Sequence, residues 1–207
     1  MPAKNQDLHG MAPDTCDAAL LLIDVVNDLE FEGGQKLMPA ALRAARRIAA
    51  LAQRARAIGV PVIYANDNFG RWRSDFKEVV QHCLDDGVRG EPIAALLAPH
   101  REDYFVLKPK HSAFYATTLE TLLEYLKTKC VILGGFAGDA CVLMTAADAY
   151  MRDVTLYVPQ DCVASISSVE NRKALQYMKR VLHADTTPSG RLDLRKLAGR
   201  VRRRKRA

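Results

Sequence analysis

Short apolar runs alternate with longer helical patterns along this 207-residue chain. Ala18–Val25 (AALLLIDV) is apolar at successive rather than alternate positions, the pattern of a strand buried on both faces of a parallel sheet. Pro39–Ile58 places Leu42, Ala45, Ile48, Ala52 and Ala55 on one helical stripe, and Gly59 and Pro61 stop it. Pro61–Asn66 (PVIYAN) reads as a second strand and Phe105–Lys108 as a short third. Thr117 and Glu120 form a capping box ahead of a helix that carries Leu119, Leu122, Leu123 and Leu126. Cys130–Phe136 (CVILGGF) is the fourth strand, with a helix then predicted from Asp139 to Arg152 and a fifth strand at Val154–Val158. Ser167 and Glu170 box a further helix, and a short strand is expected near Ala184–Thr186.

Strand–helix alternation without repeats predicts an α/β fold, one parallel sheet with helices on both faces and right-handed crossovers. The stretch Asn66–His100 is looser, broken by Gly70, Gly87, Gly90, Pro92 and Pro99. Long excursions after strand ends commonly build or cover the ligand site in such folds.

Composition adds little except at the ends. Hydrophobic residues make up 49% and charged residues 26%, an ordinary globular balance that excludes a disordered or fibrous chain. No apolar run is long enough to span a bilayer, and the polar start has no signal-peptide core. Five cysteines, an odd number in a chain of this size, argue against a disulfide framework and for a reducing, cytoplasmic location. The net charge of +6 is unevenly spread. Residues 191–207 hold nine basic side chains against Asp193, a net +8, so residues 1–190 carry −2. The expected organisation is a polar arm (1–17), one catalytic domain (18–190) and a basic tail (191–207) that is appended to the fold rather than being a nucleic-acid-binding face of it.

Open parallel sheets bind ligands beyond the strand C-termini. Three reactive residues fall there: Asp24 ending strand one, Lys108 ending strand three and Cys141 just past strand four. Gly134, Gly135 and Gly138 permit an unusual backbone path before Cys141. A helix start and a nearby lysine are expected to lower the Cys141 pKa. Asp24 would take the thiol proton and later hand it to a leaving group, and the amides of Ala137 and Cys141 would hold an oxyanion. Cys16, Cys83, Cys130 and Cys162 read as inert buried cysteines. His111 and, through NDNFGRW, Asn68, Phe69 and Trp72 are weaker candidates for contacts with substrate. No phosphate-binding loop or dinucleotide fingerprint is present, so no cofactor is expected.

Asp24 in LLLIDVVND, Lys108 in VLKPKHSAF and Cys141 in GGFAGDACVLMTAADAYMRD, with YVPQDCVAS downstream, resemble the isochorismatase-like cysteine hydrolases from about Ala18 to Asp185. The resemblance implies a six-stranded parallel sheet in a Rossmann-like three-layer sandwich and an Asp–Lys–Cys triad at Asp24, Lys108 and Cys141. It also implies a non-proline cis peptide at Phe136–Ala137 that turns an amide toward the oxyanion. Nicotinamidase-like members bind a metal through an aspartate and two histidines after the second strand. Here Asn66, Asp67, Asn68 and Phe69 stand there, with no histidine until His82, so no metal is expected. Members that cleave the vinyl ether of isochorismate usually lack the cysteine, so Cys141 favours attack on a carbonyl carbon. Gly138 stands where many relatives carry a threonine hydroxyl.

The sequence therefore predicts a metal-independent cysteine hydrolase. It would cleave a C–N bond of a small amide, carbamoyl or ureido compound through a thioester, as a homo-oligomer with no membrane partner. The alternatives are a vinyl-ether hydrolase using Asp24 without covalent catalysis, and a non-enzymatic binding protein whose basic tail contacts a polyanion such as nucleic acid.

Overall fold

The computed structural model of the chain describes residues 15–67, 75–199 and 201. The strands are β1 (Ala18–Ile23), β2 (Val62–Asp67), β3 (Tyr104–Lys108), β4 (Cys130–Phe136), β5 (Thr155–Tyr157) and β6 (Val163–Ala164). The helices are α1 (Gly34–Ile58), α2 (Phe76–Asp85), α3 (Glu91–Leu96), α4 (Leu119–Leu126), α5 (Leu143–Tyr150), α6 (Ser168–Val181) and α7 (Leu194–Ala198). All strand pairs are parallel, in the order β3-β2-β1-β4-β5, with β6 beside the C-terminal end of β4. This is the predicted six-stranded α/β sheet.

β1 is central and buried at every position, which is why its sequence shows no alternation. Its even-numbered residues Leu20 and Leu22 pack with the α1 stripe of Leu37, Ala41, Ala45, Ile48 and Ala52. Its odd-numbered residues Leu21 and Ile23 pack on the other face with Leu119 and Leu123 of α4, Ala146 of α5 and Met178 of α6. Strand order reverses between β1 and β4, so the residues following those two strands lie side by side. At Gly135, where φ is 136°, a Cβ would sit 2.0 Å from the Ile23 carbonyl oxygen, so only glycine lets β4 lie this close to β1 there.

Several boundaries differ from the sequence reading. α1 begins at Gly34, not Pro39, because Gly33 adopts the left-handed conformation and its carbonyl accepts the Lys36 and Leu37 amides. Pro39 lies inside the helix, where its ring removes only one early hydrogen bond. Thr117 does not box α4; its hydroxyl donates to the Ala113 carbonyl and accepts the Leu119 amide. Ser167 does cap α6, accepting the Glu170 amide. The sixth strand is Val163–Ala164 rather than a segment near Ala184, of which Asp185 makes only one bridge to Tyr157. The helix expected from Asp139 is a π-helical turn, Gly138–Val142, continuing into α5.

The body also extends beyond residue 190. Leu192, Leu194 and Ala198 are buried in the α1 layer, and Arg54 of α1 donates to the carbonyls of Ser189 and Leu192. Cys16 is buried too and its amide donates to the Leu126 carbonyl. The first part of the basic segment is therefore core, while residue 200 and residues 202–207 lie outside the described residues. No helix among the described residues is long and apolar enough to cross a membrane. Leu194→Ala is expected to lower the free energy of unfolding in urea by about 2–5 kcal/mol, the usual range for a leucine removed from a packed core. A change below about 0.5 kcal/mol would show that α7 does not dock on α1.

Candidate active site

The three residues singled out at strand ends meet in space. Asp24 follows β1 with a φ of 52°, a left-handed conformation that aspartate tolerates better than most residues. Its amide donates to the Ala65 carbonyl, and its Oδ1 accepts the Asp67 amide at 2.8 Å. Lys108 ends β3, which is two strands away from β1. Neighbouring strands lie roughly 4.8 Å apart, so only a long side chain can reach across from β3. Lys108 does so: its Nζ is 2.8 Å from Asp24 Oδ2, 3.2 Å from the Lys110 carbonyl and 3.7 Å from Cys141 Sγ. Lys108 is fully buried and Asp24 is 6% exposed. Asp67 Oδ2 stands 3.9 Å from the same ammonium.

Cys141 sits in the π-helical turn after β4, and the Phe136–Ala137 peptide before that turn is cis. The Ala137 carbonyl accepts the amides of Ala140 and Val142, which ties the turn back onto its own start. Two further links brace it. Thr145 of α5 donates its hydroxyl to the Cys141 carbonyl at 2.7 Å and accepts the Ala113 amide at 3.1 Å, joining the turn to the loop after β3. Ser165 accepts the Asp139 amide and donates to Asn171 Oδ1 of α6. A Cβ on Gly138 would stand 2.1 Å from Asn171 Oδ1 and 2.5 Å from Val163 Cγ1, so Asn171 and Val163 occupy the space that a threonine side chain would need. Thr145, Ser165 and Asn171 were not among the sequence candidates. The one available signal was the spacing of Thr145, one helical turn after Cys141.

Charge in this cluster is set by burial first. Burial pushes the Asp24 carboxyl above the ordinary carboxylate range, opposed by the Lys108 ammonium, the Cys141 thiol and the Asp67 amide. Burial also works against the charge on Lys108, but Asp24, Cys141 and Asp67 outweigh it and hold the ammonium above its usual pKa. Burial and then the Asp24 charge push the Cys141 thiol up to about 12, against the pull of Lys108. The expected lowering of this pKa is therefore not met in the resting site. The cluster thus brings together a carboxyl, an ammonium and a thiol hydrogen-bonded to that carboxyl.

His111, a weaker candidate, lies at the cluster: its Nδ1 is 3.5 Å from Cys141 Sγ. Asn68, Phe69 and Trp72 lie outside the described residues. Cys16, Cys83, Cys130 and Cys162 are buried, whereas Cys141 is partly accessible.

The donors after β2 do not fit a divalent cation. Asn66 is fully buried and donates its amide to the Val26 carbonyl, while Asp67 faces the Lys108 ammonium. The sequence from 66 to 74 has no histidine, and His82 in α2 is engaged by Asp86 at 2.7 Å and Asp28 at 3.5 Å. Among the described residues no group of three or more His, Cys, Asp or Glu side chains could hold a metal.

Comparison with known proteins agrees with the fold. The isochorismatase domain model matches residues 18–188. YaaI, an uncharacterized isochorismatase family protein of Bacillus subtilis, is 43% identical over 171 residues, 83% of this chain and 93% of that protein. Maleamate amidohydrolase of Pseudomonas putida is 30% identical over 156 residues, 70% of this chain and 71% of that enzyme. The crystal structure of N-carbamoylsarcosine amidase from Thermoplasma acidophilum superposes with a TM-score of 0.68 at 28% identity, covering 86% of this chain and 99% of that one. By domain match, sequence and fold, the chain belongs to the isochorismatase family.

Proposed function

We propose that the protein is a cysteine amidohydrolase acting on a small amide, carbamoyl or ureido compound without a metal. The observation that carries this reading is the buried Lys108 ammonium in contact with both the Asp24 carboxylate and the Cys141 sulfur. Two of the relatives, maleamate amidohydrolase and N-carbamoylsarcosine amidase, bear amidase names and support the same class of bond.

Asp24 is hydrogen-bonded to the thiol and is its proton acceptor. As that proton leaves, negative charge moves from Asp24 to Cys141 Sγ, and Lys108 faces both positions. The ammonium thus compensates charge before and after the transfer with no large movement. The sulfur attacks the carbonyl carbon, and the amides of Ala137 and Cys141 hold the resulting oxyanion. Loss of ammonia or an amine leaves a thioester on Cys141, which water hydrolyses.

Ammonia release from a panel of small amides and ureido compounds tests the reading. Cys141→Ala is expected to abolish release. Lys108→Ala is expected to slow it by at least about two orders of magnitude, roughly 2.7 kcal/mol. Asp24→Asn is expected to come close to abolishing it, and also to lower stability by about 3–5 kcal/mol because it leaves the Lys108 charge buried and unpaired. Its activity is therefore read where circular dichroism shows the variant folded. Near-native ammonia release from Cys141→Ala would rule out covalent catalysis, and a parent protein that releases ammonia from no member of the panel would favour a vinyl-ether type of chemistry at Asp24.

The pH dependence has a defined sign. Turnover needs Asp24 ionised, and its folded pKa is raised above 3.8, so kcat/KM is lost as pH falls through that raised value. An acid limb at or below 3.8 would contradict the burial of this carboxylate. The thiol, at about 12, sets no limit near neutral pH. Activity is also expected to survive exhaustive chelation; stoichiometric metal in the purified protein, with activity lost on its removal, would overturn that part of the reading.

A further inference from the structure

An amide nitrogen departs poorly unless it is protonated as the C–N bond breaks, so the reaction needs a proton donor near the leaving group. Asp24 is buried and held in its ion pair with Lys108. His111 approaches the same sulfur with an exposed ring, its Nδ1 at 3.5 Å. The loop that carries it is held on both sides. Before it, the Lys110 carbonyl accepts from Lys108 Nζ. After it, Ser112 hydrogen-bonds Asp148 of α5, and the Ala113 amide donates to the same Thr145 hydroxyl that binds the Cys141 carbonyl. An exposed imidazole is thus fixed in register with the sulfur through contacts to the lysine and to the helix of the cysteine.

We infer that His111 is a catalytic residue, the general acid that protonates the leaving nitrogen. This rests on the thioester reading above and divides the proton traffic that a lone Asp24 would otherwise carry. In acylation the Sγ–H proton passes to Asp24, the S–C bond forms and the carbonyl π electrons move to oxygen. The tetrahedral adduct then collapses: the C–N bond breaks, its electron pair goes to nitrogen, and the imidazolium gives nitrogen its proton. In deacylation the now neutral imidazole takes a proton from the attacking water as the new C–O bond forms. The C–S bond breaks, and the sulfur recovers its proton from Asp24. Both groups end as they began, and the sum is amide plus water giving acid plus amine.

The test separates reactions by leaving group. Iodoacetamide alkylation of Cys141 requires the thiol to be activated but expels iodide, which needs no proton. The pre-steady-state burst from p-nitrophenyl acetate expels p-nitrophenolate, which likewise needs none. His111→Asn and His111→Ala are made in the full-length protein. Both are expected to slow single-turnover ammonia release from the best amide of the panel by at least about 100-fold. Alkylation and burst rates are expected to stay within about threefold of the parent, the scale of a minor change in packing. Equal losses in all three reactions would reduce His111 to positioning the sulfur, and an unchanged rate of ammonia release would remove it from the mechanism; either result overturns the assignment. Failure of the underlying reading looks different: either the parent protein releases no ammonia from any member of the panel, or Cys141→Ala keeps its ammonia release whatever residue stands at 111.

Discussion

A lysine ammonium with no exposure to water is the constraint on which the rest of the site depends. An ammonium of this kind loses several kcal/mol of hydration and stays charged only if it is paired and hydrogen-bonded. Lys108 meets that demand with the Asp24 carboxylate at 2.8 Å and the Lys110 carbonyl at 3.2 Å. Pairing them requires β3 and β1 to end at matched heights across the intervening β2, and the register Asp67↔Lys108 and Ile23↔Ala65 provides this. The reversal of strand order then sets the turn after β4 beside Asp24, so the third member arrives by topology. Sheet order, strand register and the buried pair are one requirement seen at three scales.

The turn that carries Cys141 is braced by neutral hydrogen bonds rather than by charge. Thr145 ties it to the loop after β3, and Ser165 with Asn171 ties it to β6 and α6. These contacts limit how far the sulfur can drift from Lys108 without adding a charge that would disturb the pair. Their arrangement also explains Gly138, since Asn171 and Val163 leave no room for a side chain there.

How much of this was legible in the sequence depended on the range of the interaction concerned. β1 could be read because burial on both faces writes an unbroken apolar run, and β4 because CVILGGF does the same. The meeting of Asp24, Lys108 and Cys141 followed from placing each at a strand C-terminus, and the motifs around them resembled one family. The start of α1 was missed because Gly33 and Gly34 look like a loop until the left-handed cap and the burial of Leu37 are seen. β6 was missed because a two-residue strand has no periodicity to detect. The boundary at residue 191 was set by charge, yet Leu192, Leu194 and Ala198 are buried, so a basic segment hid a core contribution. The direction of the Cys141 shift was misjudged for a related reason. Sequence displays the nearby cation, but burial of the thiol and its contact with an anion emerge only from the fold.

In the proposed mechanism a thiol that rests protonated beside its base becomes a nucleophile only as the proton transfers, which would keep Cys141 quiet until a carbonyl carbon is in place. The account therefore stands on a covalent bond between Cys141 and substrate. The most direct test is intact-protein mass spectrometry of the enzyme quenched in acid during turnover of an amide, followed by peptide mapping. The account predicts a mass increase equal to the acyl group, located on Cys141 and sensitive to hydroxylamine. Turnover that continues in Cys141→Ala, with no acyl adduct on the parent enzyme at any quench time, would contradict it.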